Sequence, residues 1–480
     1  MIQKFFCEQI KKHFPYTPTD EQNEALERLS RFLFSGSRDA LFVLKGYAGT
    51  GKSSLIGALV KTCTQMNQKT VLLAPTGRAA KVFAAYAEHP AYTIHKKIYR
   101  QKSFGDESGF VLAPNLQPHT LFIVDEASMI ANSSSDTVAF GSGHLLDDLI
   151  EYVYGCEGCR LILLGDSAQL PPVSQAESPA LDASVLRAYH LELHEMTLTQ
   201  VVRQAEKSGI LMNATFLRRA IEKGQVKQYP KVQTEAYPDV SIVRNDTLIE
   251  TIESAYDRDG IEETIVISRS NKRANQFNDG IRNRILWREE ELSSGDWLMV
   301  AKNNYFWAES CETMDFIANG DLMQVRRIRK MQNLYGFRFC DITAYFPDYE
   351  TELDVKILME TLHTDAPGLP KEMSDKLFYA VMEDYVEVAT KKAKMKKLKA
   401  DPFYNVVQVK YAYAVTCHKA QGGQWKNVFL DLSYIPEEYL DANFYRWLYT
   451  AFTRATERLY LVNPVADILT KSTNTGKWSL

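Results

Sequence analysis

The stretch Gly46-Tyr47-Ala48-Gly49-Thr50-Gly51-Lys52-Ser53 constrains this chain more than any other. It fits the pattern G-x-x-x-x-G-K-[ST], and its flanks are the ones such a loop requires. Ala40 to Leu44 is a short unbroken apolar run and predicts a buried strand. Ser54 to Lys61 is rich in Leu, Ile and Ala and predicts a helix. A glycine turn between strand and helix aims backbone N–H groups at a β-phosphate, where the helix terminus adds partial positive charge. Lys52 would reach the β- and γ-phosphates, and the Ser53 hydroxyl would hold Mg²⁺. The expected contacts to a nucleoside triphosphate are therefore Gly46, Ala48, Gly49, Thr50, Gly51, Lys52, Ser53 and Ser54.

A length of 480 residues predicts two to four domains rather than one core. No apolar run is long enough to span a bilayer, and the N-terminal stretch with Glu8 lacks the apolar region of a secretory signal, so a cytoplasmic protein is expected. Seven scattered cysteines suit a reducing compartment. Cys156-Glu157-Gly158-Cys159 has no second pair at ligand spacing and reads as a turn before a strand rather than a zinc site. A net charge of −4 leaves room for a local basic groove.

Tyr16 to Leu26 carries a helix start, with Thr19 as N-cap and Gln22 at the third helical position. Gln22 either completes that capping box or pairs with an adenine edge. Thr70 to Ala74 predicts a second buried strand, and Pro75 and Thr76 fall at its carboxyl end, where ligands bind in parallel α/β sheets. Residues 100 to 118 are polar and turn-rich, with isolated Phe104 and Phe110; they read as a short hairpin or a surface loop. Leu121 to Val124 is an apolar run ending in Asp125 and Glu126. Asp125 would hold Mg²⁺ through water, and Glu126 would orient and deprotonate the attacking water. Residues 131 to 143 form a serine-rich loop with no assigned purpose. After the strand Leu161 to Leu164, a rigid Gly-Asp and Pro-Pro loop holds Gln169 where it could contact a γ-phosphate.

A second α/β pattern begins at Thr264 to Ser268. From about 291 to 408 short strands at turn spacing predict a small inserted antiparallel barrel, ending in a long helical candidate over 370 to 399. The lysine run Lys391 to Lys399 is a solvated helix face or a phosphate contact. Tyr411 to Val415 returns to α/β as a strand. Arg454 ends a helix near 441 to 453 and becomes an arginine finger if the two α/β halves face each other.

Taken together, these stretches resemble a superfamily 1 helicase of the RecD and Dda kind. The resemblance runs in order through the Gln22 segment, the Lys52 loop, Ala74-Pro75-Thr76, Thr93-Ile94-His95, Asp125-Glu126-Ala127-Ser128, Gly165 to Val173, Arg203, Thr416 to Gly422 and Tyr449 to Arg454. It implies an α/β fold of two RecA-like domains with ATP between them. The first would span 1–98 and 119–197, and the second 198–290 and 409–480. A strand-separating hairpin would occupy 99–118, and an SH3-like barrel with helices 291–408. Lys52, Asp125, Glu126, Gln169, Arg203 and Arg454 would be catalytic, with Ser53 and Asp125 holding Mg²⁺. Pro75, Thr76, Thr93, His95, Thr416 and His418 would line a track for single-stranded DNA, and ss/ds junctions would be the substrate of a monomer moving 5′ to 3′. Gly423-Gln424-Trp425 departs from the family pattern, and Trp425 is a core anchor or a base-stacking platform. An RNA-directed relative and a small-molecule phosphotransferase are the alternatives.

Overall fold

Leu41, Phe42, Val43 and Leu44 are each 0% exposed in a computed structural model of the chain, so the run before the phosphate loop is covered on both faces. That is the environment of a strand inside a parallel sheet with helices on either side. The structure describes residues 2–37, 39–101, 110–132, 141–173, 175–202, 208–235, 237–309, 311, 313–314 and 316–470. The tip of the expected hairpin, residues 133–140 of the serine-rich loop and Arg203 lie outside them.

The first sheet contains β1 (Ala40–Gly46), β2 (Thr70–Ala74), β3 (Ala91–Thr93), β6 (Leu121–Val124), β7 (Arg160–Gly165) and β8 (Glu192–Leu198). Their order is β3-β2-β6-β7-β1-β8, and every pair is parallel. Between β3 and β6 the chain makes an antiparallel pair, β4 (Tyr99–Gln101) and β5 (Phe110–Leu112), with Tyr99 opposite Leu112. The second sheet, of β9 (Val240–Val243), β10 (Thr264–Ser268), β16 (Ala414–Thr416), β17 (Trp425–Asp431) and β18 (Ala455–Val462), is also parallel, in the order β16-β10-β17-β18-β9.

Inserted between β10 and β16 is a closed barrel of β11 (Trp297–Val300), β12 (Leu322–Leu334), β13 (Phe337–Phe346), β14 (Thr351–Leu358) and β15 (Val407–Tyr411). Register shifts in β12 at Val325/Arg327 and Ile328/Lys330 bend this 13-residue strand, as barrel closure requires. Its inner face is apolar, with Val325, Cys340, Ile342, Ala344 and Phe346 fully buried.

Three elements differ from the sequence expectation. The barrel is antiparallel except at its closure, where β14 and β15 run parallel with Ile357 opposite Val407. The helical candidate over 370 to 399 is two helices, Lys371–Glu383 and Lys391–Lys399. Val386, Val388 and Thr390 are β-branched and stiff at χ1, and the Thr390 side chain caps the second helix by accepting from the Ala393 N–H. The run Tyr411 to Val415 is also split. Tyr411 ends a barrel strand and Ala414 starts a sheet strand, while between them the Tyr413 hydroxyl donates to buried Asp296 at 2.8 Å. Among the described residues no helix is long and apolar enough to cross a membrane.

Candidate functional site

The strand order does the first part of the assembly. β6, β7 and β1 are neighbours, so their carboxyl ends bring together the Asp125-Glu126 pair, the Asp166 to Gln169 loop and the phosphate loop. The helix after the loop, Lys52–Gln65, starts from Gly51 at φ +76 with no side-chain cap. The N–H groups of Gly51, Lys52 and Ser53 meet no protein acceptor among the described residues, which leaves an anion cradle at the helix N-terminus. A Cβ on Gly51 would stand 2.4 Å from Gln22 Nε2, so space and backbone angle both demand glycine. Lys52 Nζ is held over the loop by the Gly46 carbonyl at 3.0 Å.

Gln22 does complete the capping box: its Oε1 accepts from the Thr19 N–H at 2.9 Å. Its Nε2 donates to the Thr50 carbonyl at 2.9 Å and so ties this helix to the phosphate loop. Arg203 lies outside the described residues, but the Val202 N–H just before it donates to the Gly49 carbonyl at 3.0 Å.

Asp125 accepts from the Glu126 N–H at 2.8 Å and from the Tyr86 hydroxyl at 2.7 Å. Its carboxylate and the exposed Ser53 hydroxyl are hard oxygen donors beside the loop, a set that suits Mg²⁺ shared with phosphates. Glu126 sits at φ +52, a left-handed conformation rare for a residue with a side chain. Burial pushes its carboxyl up from the usual range; Arg454 opposes that shift, and Asp125 adds to it. Gln169 is 7% exposed, and among the described residues its buried Oε1 meets no hydrogen-bond partner, an orphaned acceptor in the cleft.

The second sheet closes over this face. Arg454 is 3% exposed, held by the carbonyls of Gly423 at 3.1 Å and Thr450 at 3.2 Å, and its Nη1 is 4.0 Å from Glu126 Oε1. The Tyr449 hydroxyl accepts from the Ala48 N–H at 2.9 Å and donates to Asp166 at 2.5 Å. The Leu170 N–H donates to Thr450 Oγ1, and Gln421 Nε2 donates to the Leu170 carbonyl. Tyr86, Tyr449 and Thr450 had no assigned place in the sequence reading. Tyr449 and Thr450 lie in the block quoted for Arg454, which was the available signal; nothing in the sequence marks Tyr86.

The expected track residues stand at the carboxyl ends of β2, β3 and β16. The two sides meet there, because a Cβ on Gly422 would lie 3.1 Å from Thr76 Oγ1. Thr76 and Thr93 each cap a helix, accepting from Ala79 and Lys96 N–H at 3.2 Å. Pro75, Thr76 and Thr416 are half-buried and His418 is exposed, whereas Thr93 is buried. His95 is sunk among rings, 5.7 Å from Tyr99 and 6.1 Å from Phe316, and burial pushes its pKa down to about 4. Phe110 of the hairpin base packs 5.0 Å from Tyr305 of the β11–β12 loop, which joins the hairpin to the barrel. Trp425 is 3% exposed under the Arg78 guanidinium at 4.0 Å, the position of a core anchor. Cys156 and Cys159 are free thiols, and among the described residues no group of three His, Cys, Asp or Glu could hold a metal ion.

Residues 17–232 match the family profile described as an AAA domain, and residues 411–462 match that of a UvrD-like helicase C-terminal domain. The ATP-dependent RecD2 DNA helicase of Deinococcus radiodurans is 33% identical over 198 residues, 41% of this chain and 23% of that protein. These segments carry a likeness to superfamily 1 helicases of the RecD kind. Along most of its length, 87%, it also aligns with 94% of an uncharacterised protein, R530, of Acanthamoeba polyphaga mimivirus, at 22% identity. A solved Pif1 helicase from Bacteroides, in complex with ADP-AlF3 and ssDNA, is 15% identical with a TM-score of 0.45, covering 95% of each chain. The first profile spans Gln22 through Arg203 and the second spans Thr416 through Arg454, so both walls of the cleft fall inside matched segments.

Proposed function

We propose that this chain is an ATP-dependent DNA helicase that translocates 5′ to 3′ on single-stranded DNA and opens duplex at a junction. The observation that carries the reading is the cleft itself: the phosphate loop, Glu126 and Gln169 on one side, and Arg454, 4.0 Å from Glu126, on the other. A small-molecule phosphotransferase has no use for an arginine delivered by a second α/β domain.

In this reading the uncapped helix N-terminus and Lys52 hold the triphosphate, with the loop residues Gly46, Ala48, Gly49, Thr50, Gly51, Ser53 and Ser54 around it and Gln22 behind. Ser53 and Asp125 would hold Mg²⁺, which neutralises phosphate charge when bound. Glu126 takes the proton of the attacking water, and its raised proton affinity suits a base. The free Gln169 Oε1 accepts from that water or senses the γ-phosphate. Arg454, with Arg203, meets charge that spreads over the transferred group.

Closing this cleft draws the second sheet toward the first, and the Thr76 and Thr416 ends of the track move with their domains. If the two ends grip the strand unequally in the open and closed states, each cycle advances the protein. Pro75, Thr76, Thr416 and His418 would touch the backbone, with Thr93 and His95 shaping the floor beneath. The hairpin between β4 and β5 would split the duplex.

ATP turnover measured with DNA and RNA oligonucleotides, followed by unwinding of 5′- and 3′-tailed duplexes, tests the proposal. Strong stimulation by single-stranded DNA and unwinding only from the 5′ tail are expected. Turnover indifferent to nucleic acid overturns the helicase reading, and stimulation by RNA alone moves it to the RNA-directed alternative.

A further inference from the structure

The helix Lys391–Lys399 belongs to neither the cleft nor the track. It packs on the barrel through Leu398, fully buried, and Met395, in a cluster with Phe337 and Phe339. Lys391, Lys392, Lys396, Lys397 and Lys399 are exposed. Among the described residues none of its lysines has a carboxylate within ion-pair reach; the lysine bridges use Lys11, Lys45, Lys61, Lys81 and Lys356 instead. This is unusual placement in a chain of net charge −4.

The pattern works against the helix that carries it. Lys391 and Lys392 stand at the positive end of the helix dipole, and like charges spaced i, i+4 or i, i+3 repel. Lys392, Lys396 and Lys399 follow that spacing and make one stripe about 10 Å long on one face. A bound polyanion would turn each of these costs into attraction.

We propose that this stripe docks the phosphodiester backbone of duplex DNA. The stripe carries no aromatic side chain on which a base could stack, which is what a single-strand platform needs. Duplex backbone presents one charge per about 1.7 Å of axis, so a rigid row of three ammonium groups meets several phosphates at once. Among the described residues the lysine helix connects to the track's surroundings only at its C-terminal end, where the Asn405 side chain donates to the Lys399 carbonyl at 2.8 Å and the Asn405 carbonyl accepts from Asn304, next to Tyr305. The barrel touches the first domain at the β13–β14 turn, where Lys81 Nζ donates to the Pro347 carbonyl at 2.9 Å. The lysine helix and its neighbour sit at the other end of β13, where the Tyr335 hydroxyl donates to Asp384. Ten residues of strand separate the two ends by about 30 Å. Choosing DNA as the polyanion rests on the helicase reading; the unpaired stripe does not.

The test is the combined Lys392→Gln, Lys396→Gln, Lys399→Gln variant of the full chain, with the corresponding Lys→Arg variant as its charge-retaining control. Binding of a blunt duplex of about 20 base pairs, without ATP, is followed by fluorescence anisotropy between about 50 and 200 mM salt. The Gln variant should lose at least about tenfold in affinity at low salt, and its slope of log K against log salt should flatten by about 2 to 3. Arg should restore both, and single-strand-stimulated ATPase should match the wild type throughout. A wild-type slope in the Gln variant, no duplex binding by the wild-type protein, or an equal loss on a single-stranded oligonucleotide overturns the proposal. A wild-type protein whose ATPase ignores DNA strikes the helicase reading instead, and the duplex titration still decides this one.

Discussion

Arg454 of the second domain stands with its guanidinium 4.0 Å from the carboxylate of Glu126 in the first. The arginine is clamped by two carbonyls of its own domain, so its distance from Glu126 reports the closure of the cleft rather than a side-chain swing. Glu126 in turn is pushed up by burial and pulled back by Arg454. One contact thus couples domain closure to the proton affinity of the proposed base.

Arg454→Ala should bind ATP but lose about a thousandfold or more in DNA-stimulated turnover, the scale of a missing arginine finger. Without the cation, Glu126 keeps its proton to higher pH, so the acid limb of the pH–rate profile should move upward. A variant with normal turnover and an unmoved acid limb shows that the cleft does not work this way.

Lys52→Ala should abolish ATP hydrolysis and unwinding while retaining most single-strand binding, because Lys52 faces the phosphate loop and not the track. Turnover assays paired with equilibrium DNA binding check both halves. Full DNA-stimulated turnover would remove the loop from the chemistry.

Tyr449→Phe deletes one oxygen that serves the Ala48 N–H and Asp166 together. Loss of a buried two-way hydrogen bond is worth about 1 to 3 kcal/mol. The expected result is about a tenfold fall in DNA-stimulated turnover with basal turnover little changed, since the hydroxyl links the second domain to the loop. Stimulation equal to wild type would mean that this link carries no coupling.

Asp321 of the barrel is 3% exposed and faces Gly77, the first residue of the helix Gly77–Ala87, with Tyr349 and Asp348 beside it. Burial raises its pKa from an ordinary 3.8 to about 7. Between those values the folded protein binds more protons than the unfolded chain, so this group's contribution to stability falls as pH rises from about 4 to about 7 and is level beyond. Asp321→Asn should flatten that slope, giving a variant whose Tm falls less than the wild type's between pH 5 and pH 8, by about a few degrees. Parallel melting curves in the two proteins would contradict the assignment.

Much of the fold was legible because its signals are local. Ala40 to Leu44 and Leu121 to Val124 are apolar on both faces, and a strand buried on both sides is what such a run becomes. Thr19 and Gln22 make their capping box from residues three apart. The reading failed where one stretch serves two neighbours. Tyr411 to Val415 reads as one strand, but the barrel takes one end, the sheet takes the other, and Asp296 holds Tyr413 between them.

The sequence by itself determined the chemical parts: a glycine loop with Lys52 and Ser53, an acid pair at a strand end, an arginine after a helix and a lysine run. Spacing within a few residues is enough to specify each. Only the tertiary structure decided their relations. The order β6-β7-β1 gathers three loops that are far apart in the chain, and the facing of two sheets brings Arg454 to Glu126 and Tyr449 to Ala48. It also set half-buried His95 among rings and left Lys392, Lys396 and Lys399 exposed. Those outcomes depend on which apolar faces cover one another, a long-range matter of burial that no local pattern encodes.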